Sequence, residues 1–257
     1  MKRLLINADD LGYDADTLAT TTALMDVGAV RSATILVGWP ETDAAIRYAR
    51  AHPEHSFGLH FNIAEGRPLS PRPVRSLVDA GEQFRGPIHQ RLRAIAGLLD
   101  PADLQAELEA QLGILADHGL APSHLDSHGH FHKFPRVIAA LRPVLARFGI
   151  AKVRIAQTRY DNPRFYNAWL DRLCTRAIRP DLTTTEAFFN TRRYDDGWFD
   201  RLVDTLGDGT TELGVHPGRA EEWRRVEAMP LSRPAFADAL RARGVEIVSY
   251  HQLERAA

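Results

Sequence analysis

Short apolar runs rich in Val, Ile, Leu and Thr alternate along the chain with longer stretches whose apolar residues recur at helical spacing. That is the pattern of repeated βα units feeding a mostly parallel sheet. About eight runs read as strands by this criterion: residues 3–8, 32–37, 57–63, 123–127, 152–156, 183–188, 212–216 and 245–249. Helices are predicted between them over 14–27, 40–51, 101–119, 135–148, 163–178, 198–206 and 232–243, most of them ending at or just before a glycine or proline. The clearest start is Asp100-Pro101, a capping residue ahead of a proline at the first helical position. From it Leu104, Leu108, Leu112 and Leu115 run as one apolar stripe. Eight short parallel strands in one chain predict closure into an α/β barrel.

One stretch breaks the rhythm. Residues 65–87 carry Gly66, Pro68, Pro71, Pro73, Gly81, Gly86 and Pro87 and leave directly from the end of the third strand. A loop of this length in a compact domain is either a functional covering segment or a solvated insertion. No repeat, low-complexity tract or linker divides the chain, so residues 1–257 are expected to form a single barrel domain with this long loop inserted.

Composition narrows the class. The 257 residues include 25% charged and 44% apolar side chains with a formal net charge of −1, a balance without the basic footprint that nucleic acid demands. Cys174 is the single cysteine, which rules out a disulfide framework and suits a reducing compartment. The opening Met1-Lys2-Arg3-Leu4-Leu5-Ile6 is halted by Asn7, Asp9 and Asp10, far short of a secretory core, and no apolar run reaches membrane-spanning length. A cytoplasmic location without an integral membrane segment is expected, and a homodimer is compatible with the sequence.

The residues able to do chemistry fall at the C-terminal ends of the predicted strands. Asp9 and Asp10 close the first, His60 and Asn62 the third, Asp126 and His128 the fourth, and His216 the seventh, while Arg154 lies in the fifth. In a parallel barrel these ends open on one face, where barrel enzymes build their sites. Four of the eleven histidines, His124, His128, His130 and His132, sit within residues 123–132 at even spacing, so on extended chain their imidazoles would leave on one face. His60, His128 and Asp10 make a set of two imidazoles and one carboxylate, the minimum that holds a divalent ion while leaving positions open. Adjacent Asp9 and Asp10 repel unless a cation or a proton separates their roles. His216 precedes Pro217, which forces extended backbone and aims the ring out of the strand end. His52, His55, His89 and His118 fall outside this register on helix ends and loops and read as solvated.

Ile6-Asn7-Ala8-Asp9-Asp10-Leu11-Gly12, Gly58-Leu59-His60, His124-Leu125-Asp126-Ser127-His128-Gly129-His130-Phe131-His132 and His216-Pro217-Gly218, in this order, resemble the motifs of the YdjC-like carbohydrate deacetylases. That group includes the chitooligosaccharide and hopanoid-biosynthesis deacetylases. The resemblance covers nearly the whole chain, including Ser76-Leu77-Val78-Asp79 with Gly81 and Phe84 in the long loop. It implies a distorted TIM-like (β/α) barrel and metal-dependent removal of an acetyl group from an N-acetylated sugar or oligosaccharide, lipid- and nucleotide-linked forms included. By motif match, Asp10, His60 and His128 hold one divalent ion, zinc by ligand softness or magnesium by family habit. Asp9 is then the general base and His216 the general acid. Leu11 stands where an aromatic is usual, and Thr185-Glu186-Ala187-Phe188-Phe189 departs from the family pattern. Both departures bear on the sugar pocket rather than on the metal set.

Within that scheme Arg154 orients a carboxylate, most simply Asp9, or makes a plain salt bridge. His130 and His132 lie behind the metal ligands or against the sugar. Trp39, Trp169, Trp198 and Trp223 supply sugar-stacking faces or core packing. The rival readings are another barrel metallohydrolase acting on a different amide or ester, and a sugar-binding protein without activity. Retention of both Asp9 and His216 argues against the second.

Overall fold

The computed structural model describes residues 1–159, 168–190 and 197–254. In chain order the elements are β1 (Lys2–Leu11), α1 (Ala15–Asp26), β2 (Ser32–Ile35), α2 (Thr42–Ala51), β3 (Ser56–Phe61), α3 (Pro87–Ala96), α4 (Pro101–Asp117) and β4 (Leu125–Ser127). There follow α5 (Pro135–Arg147), α6 (Ala168–Ile178), β5 (Ala187–Asn190), α7 (Trp198–Asp204), β6 (Gly209–Val215), α8 (Glu222–Ala228), α9 (Phe236–Ala242) and β7 (Val245–Val248). All strand pairs are parallel, in the order β4-β3-β2-β1-β6-β5. β1 carries β6 along one side, and on the other β7 beside Lys2–Leu5 and β2 beside Asn7–Leu11. Between β4 and β5 the ladder continues as single parallel bridges, Leu125 to Val153 and Lys152 to Thr183. The sheet therefore curls into the expected barrel-like α/β fold.

Seven strands form among the described residues rather than about eight. The run predicted over 152–156 contributes only bridges. Its Val153 and Arg154 N–H groups donate to Thr183 and Leu125, on opposite neighbours, and the segment leaves the sheet before a ladder can extend. The start of the helix predicted over 163–178 lies outside the described residues. α3 and α8 escape the sequence pattern because α3 closes a Pro/Gly-rich stretch and α8 is a polar helix of seven residues.

Alternation along β1 explains both layers of the structure. Leu4, Ile6 and Ala8 join the main apolar core, whereas Leu5 packs with Val248, Tyr250 and Leu253 in a separate cluster. On Leu5's face of β1, Asn7 and Asp9 continue the strand into a polar interior. Outside, α4 starts as predicted, with the Asp100 carboxylate accepting the Ala102 N–H at 2.8 Å. Its stripe of Leu104, Leu108, Leu112 and Leu115 is buried, each side chain worth about 1.5–3 kcal/mol of transfer free energy. The next turns of α4 face the long loop: buried Glu107 accepts the Leu69 and Ser70 N–H groups, and Gln111 bonds both the N–H and the C=O of Asn62. With Val74, Leu77 and Phe84 also buried, the 65–87 segment is tied to the barrel along its length. No helix among the described residues is long and apolar enough to cross a membrane.

Candidate active site

The two acids after the first strand reach the same mouth because β1 bulges between them. The β1–β2 register runs from Ala8 opposite Ala33 to Leu11 opposite Ile35, one residue more on β1 than on β2. Asp10 takes up the extra residue at φ 62°, a left-handed conformation that aspartate tolerates better than most side chains. Bulges re-aim side chains beside active sites in this way. In regular strand Asp9 and Asp10 would point to opposite faces; here both carboxylates turn into the barrel and both are buried.

Asp9 is held bidentately by Arg154, Nη1 to Oδ2 and Nη2 to Oδ1, each at 2.7 Å, and accepts the Asn7 amide at 2.9 Å. Burial works to raise the Asp9 pKa, but the Arg154 charge and its hydrogen bonds outweigh it and hold the carboxyl well below the usual range. Arg154 also contacts Asp126 Oδ2 and Glu212 Oε1, each at 2.7 Å. Glu212 in turn accepts the Tyr250 hydroxyl at 2.8 Å. Burial is strong enough to push Glu212 up to about 7 despite Arg154. Three carboxylates thus surround one fully buried guanidinium, whose planar fork matches carboxylate geometry. The expected pairing of Arg154 with Asp9 is present as one arm of this larger network.

Asp10, His60 and His128 converge. Asp10 Oδ1 lies 3.2 Å from His60 Nε2 and 3.0 Å from His128 Nδ1, and the three residues offer donor atoms within 4.8 Å of one another. His60 Nδ1–H donates to Asp126 Oδ1 at 2.7 Å, which turns Nε2 toward Asp10, the carboxylate backing that metal-binding imidazoles commonly have. Arg224 Nη2 takes Asp10 Oδ2 at 2.9 Å and leaves Oδ1 as the oxygen facing both rings. Burial opposes protonation of either imidazole, yet the facing carboxylates push His60 up to about 10, led by Asp126, and His128 up to about 9, led by Asp10. The positive charge that this cluster of acids attracts is what a divalent cation supplies, in exchange for those protons. Two imidazoles and one carboxylate oxygen, backed on both sides, fit such an ion. Glu65, the first residue of the long loop, brings its carboxylate to 3.5 Å from His128 Nε2.

His216 follows β6 and faces Asp9, Nε2 to Oδ2 at 3.8 Å. Its Nδ1–H and its backbone N–H both donate to Oε2 of buried Glu227, at 3.1 and 2.6 Å, so Nε2 is the atom presented to the mouth. Burial would lower the His216 pKa; the charge and hydrogen bond of Glu227 reverse that and raise it. Trp223 packs edge-on against the His216 ring at 5.3 Å, and the Arg224 guanidinium lies between Trp223 and Tyr13, 4.4 and 5.2 Å from their centroids.

The four histidines of residues 123–132 do not share a face. β4 ends at Ser127 and the chain turns into a 3₁₀ segment, His128–Lys133, with Gly129 and His130 both at positive φ. His124 sits deeper, stacked on Tyr250 at 3.6 Å and bonded to Asn7. His130 packs against Phe188. His132 turns back, accepting from the Ser127 hydroxyl at 2.6 Å and donating to the Arg154 carbonyl at 3.0 Å. It is fully buried and supports Arg154 from behind. Burial drives the His132 pKa down to about 3, so the unfolded chain takes up a proton below about pH 6.5 that the folded chain refuses until about pH 3. Stability present above pH 6.5 is therefore lost progressively on acidification, by on the order of 5 kcal/mol from this residue. His132→Asn should cost stability at pH 7, and its deficit against wild type should shrink as denaturant unfolding is repeated down to pH 4. Parallel pH profiles would contradict this role.

Asp126, Glu212, Arg224 and Glu227 complete the site without having been assigned roles from sequence. The tryptophans divide: Trp198 is buried core, Trp169 is exposed on α6, and Trp39 and Trp223 are half-buried, Trp39 against Tyr13 at 4.7 Å. His55 corrects the solvated reading, since it is only 9% exposed.

A family model described as YdjC-like protein matches residues 3–243. A carbohydrate deacetylase of Geobacillus stearothermophilus is 31% identical over 96% of both chains. One of Brevibacillus brevis is 29% identical over 86% of this chain and 83% of its own. The human carbohydrate deacetylase is 35% identical over 60% of this chain and 48% of its own. Among solved structures, an Enterococcus faecalis V583 protein superposes with a TM-score of 0.77 at 21% identity, covering 97% of this chain and 98% of that one, which supports the barrel-like fold.

Proposed function

The chain belongs to the YdjC-like family, and from that premise we propose that it is a metal-dependent hydrolase that removes the acetyl group from an N-acetylated sugar. The observation that carries the reading is the placement of two opposed proton-handling pairs, Asp9 with Arg154 and His216 with Glu227, 3.8 Å apart beside Asp10, His60 and His128. Relatives named carbohydrate deacetylases support the choice of substrate class.

In this reading Asp10, His60 and His128 hold one divalent ion, zinc or magnesium, which when bound supplies Lewis-acid polarisation of the amide carbonyl and acidifies water. Asp9, kept ionised by Arg154, takes the proton of the attacking water. Arg154 fixes the carboxylate plane through its two hydrogen bonds, and Asp126 and Glu212 hold the guanidinium in turn. His216 Nε2–H donates to the amine nitrogen as the C–N bond breaks, while Glu227 stabilises the imidazolium. Trp223 and Tyr13 border this mouth and offer apolar faces to a sugar ring. We place the enzyme in the cytoplasm as one catalytic domain, with the 65–87 loop bordering the substrate through Glu65.

Acetate release from a panel of N-acetylglucosamine, its β-1,4-linked oligomers, lipid- and nucleotide-linked forms, an O-acetyl sugar and an acetylated peptide tests this assignment. Turnover confined to N-acetylated sugars is expected. Release from the ester or the peptide alone would move the protein to the rival metallohydrolase reading.

A further inference from the structure

We propose that His52, Glu54 and His55 form a second divalent-cation site, of the borderline-soft kind that zinc exemplifies, at the end of the barrel opposite the active site. The site lies between α2 and β3. His55 immediately precedes the first residue of β3, and His60 is five positions further along, a separation of about 16 Å at strand rise. An ion at the turn therefore has no access to the Asp10 cluster.

The turn is built to bring the donors together. The His55 N–H donates to the His52 carbonyl at 3.1 Å, closing a four-residue turn whose second position is Pro53, where proline pre-sets the backbone. The two imidazoles stack with centroids 6.2 Å apart and planes 28° apart. Glu54 Oε1 lies between them, 3.0 Å from His52 Nδ1 and 3.8 Å from His55 Nε2, and all three residues present a donor atom within 4.8 Å of the others. Ligand atoms bound at 2.0–2.2 Å to a tetrahedral ion lie about 3.3 Å from one another, a spacing that the two observed gaps bracket. Tyr48 stacks on the His52 ring at 4.2 Å and donates its hydroxyl to Asp26 at 2.7 Å, which fixes the ring plane.

An exposed ion pair accounts for His52 with Glu54 but not for His55. Its side chain is nine-tenths buried beside them, and its Nδ1 has no hydrogen-bond partner. The other ring nitrogen, Nε2, is the one turned toward Glu54, so a mostly buried imidazole, a carboxylate and a second imidazole stand together as a ligand set. Arg31 borders the same cleft, with its Nη1 donating to the Ile247 carbonyl at 3.4 Å. His52 and Glu54 remain partly exposed, leaving the outer positions of an ion to solvent.

Zinc alone, titrated calorimetrically into chelator-stripped protein, tests the proposal independently of the reaction. Asp10→Asn removes the active-site ligand and is expected to retain one equivalent of zinc. Adding His52→Ala or Glu54→Gln to Asp10→Asn should abolish that equivalent, with the circular dichroism spectrum unchanged because both side chains are partly exposed. Cobalt bound to Asp10→Asn should give the intense visible bands of four-coordinate geometry, and these should vanish in the double variants. Failure of Asp10→Asn to bind zinc, or equal binding with and without His52, would overturn the site.

Discussion

Asp9→Asn should leave a folded, metal-loaded protein whose turnover falls by about 10²- to 10⁴-fold, the range expected when a positioned general base is removed. The fold tolerates this change because Arg154 keeps Asp126 and Glu212 as partners, so its buried charge stays compensated, and the asparagine retains an oxygen that can accept from it. Asp10→Asn and His128→Ala should behave differently, losing the active-site equivalent of metal and activity together, since Asp10 Oδ1 is the oxygen facing both imidazoles. Elemental analysis alongside kcat separates the outcomes. If Asp9→Asn holds one equivalent of metal fewer than wild type while Asp10→Asn holds as much as wild type, the two acids have exchanged roles.

The second large effect is expected at His216. A tetrahedral adduct of an amide collapses to products only if the nitrogen is protonated as it leaves, because an amide anion is too basic a leaving group. His216→Ala should therefore lower kcat on an N-acetylated sugar by about 10²- to 10⁴-fold. The loss should be much smaller on an acetyl ester of an acidic phenol, whose leaving group departs without a proton. Glu227→Gln should show the same dependence on leaving group at reduced size, since it keeps a partner for His216 Nδ1 but removes the charge that raises its pKa. Equal losses on amide and ester would assign His216 to binding rather than to proton donation.

Much of this site was legible because a parallel barrel converts sequence position into depth. Residues that close a predicted strand must open on one face, so Asp10, His60, His128 and His216 could be gathered without knowing any distance. Asp126 was visible at a strand end, but its contact with His60 depends on the register of β4 on β3, which the sequence does not encode locally. Glu212 reads as an ordinary polar residue of an alternating strand; only curvature of the sheet makes its face the interior. Arg224 and Glu227 come from α8, a polar helix without an apolar period, and their shared face at i and i+3 gains meaning only once His216 is beside it. The histidine-rich segment misled in the opposite direction. Even spacing puts rings on one face only in extended chain, and positive φ at Gly129 and His130 ends that condition directly after His128.

Acetate release before and after metal removal tests the central claim most directly, using wild-type protein and the N-acetylated sugar it turns over best. Chelator-stripped protein should release no acetate, and zinc or magnesium add-back should restore the rate in wild type but not in Asp10→Asn. Undiminished release from protein shown by elemental analysis to be metal-free would contradict it.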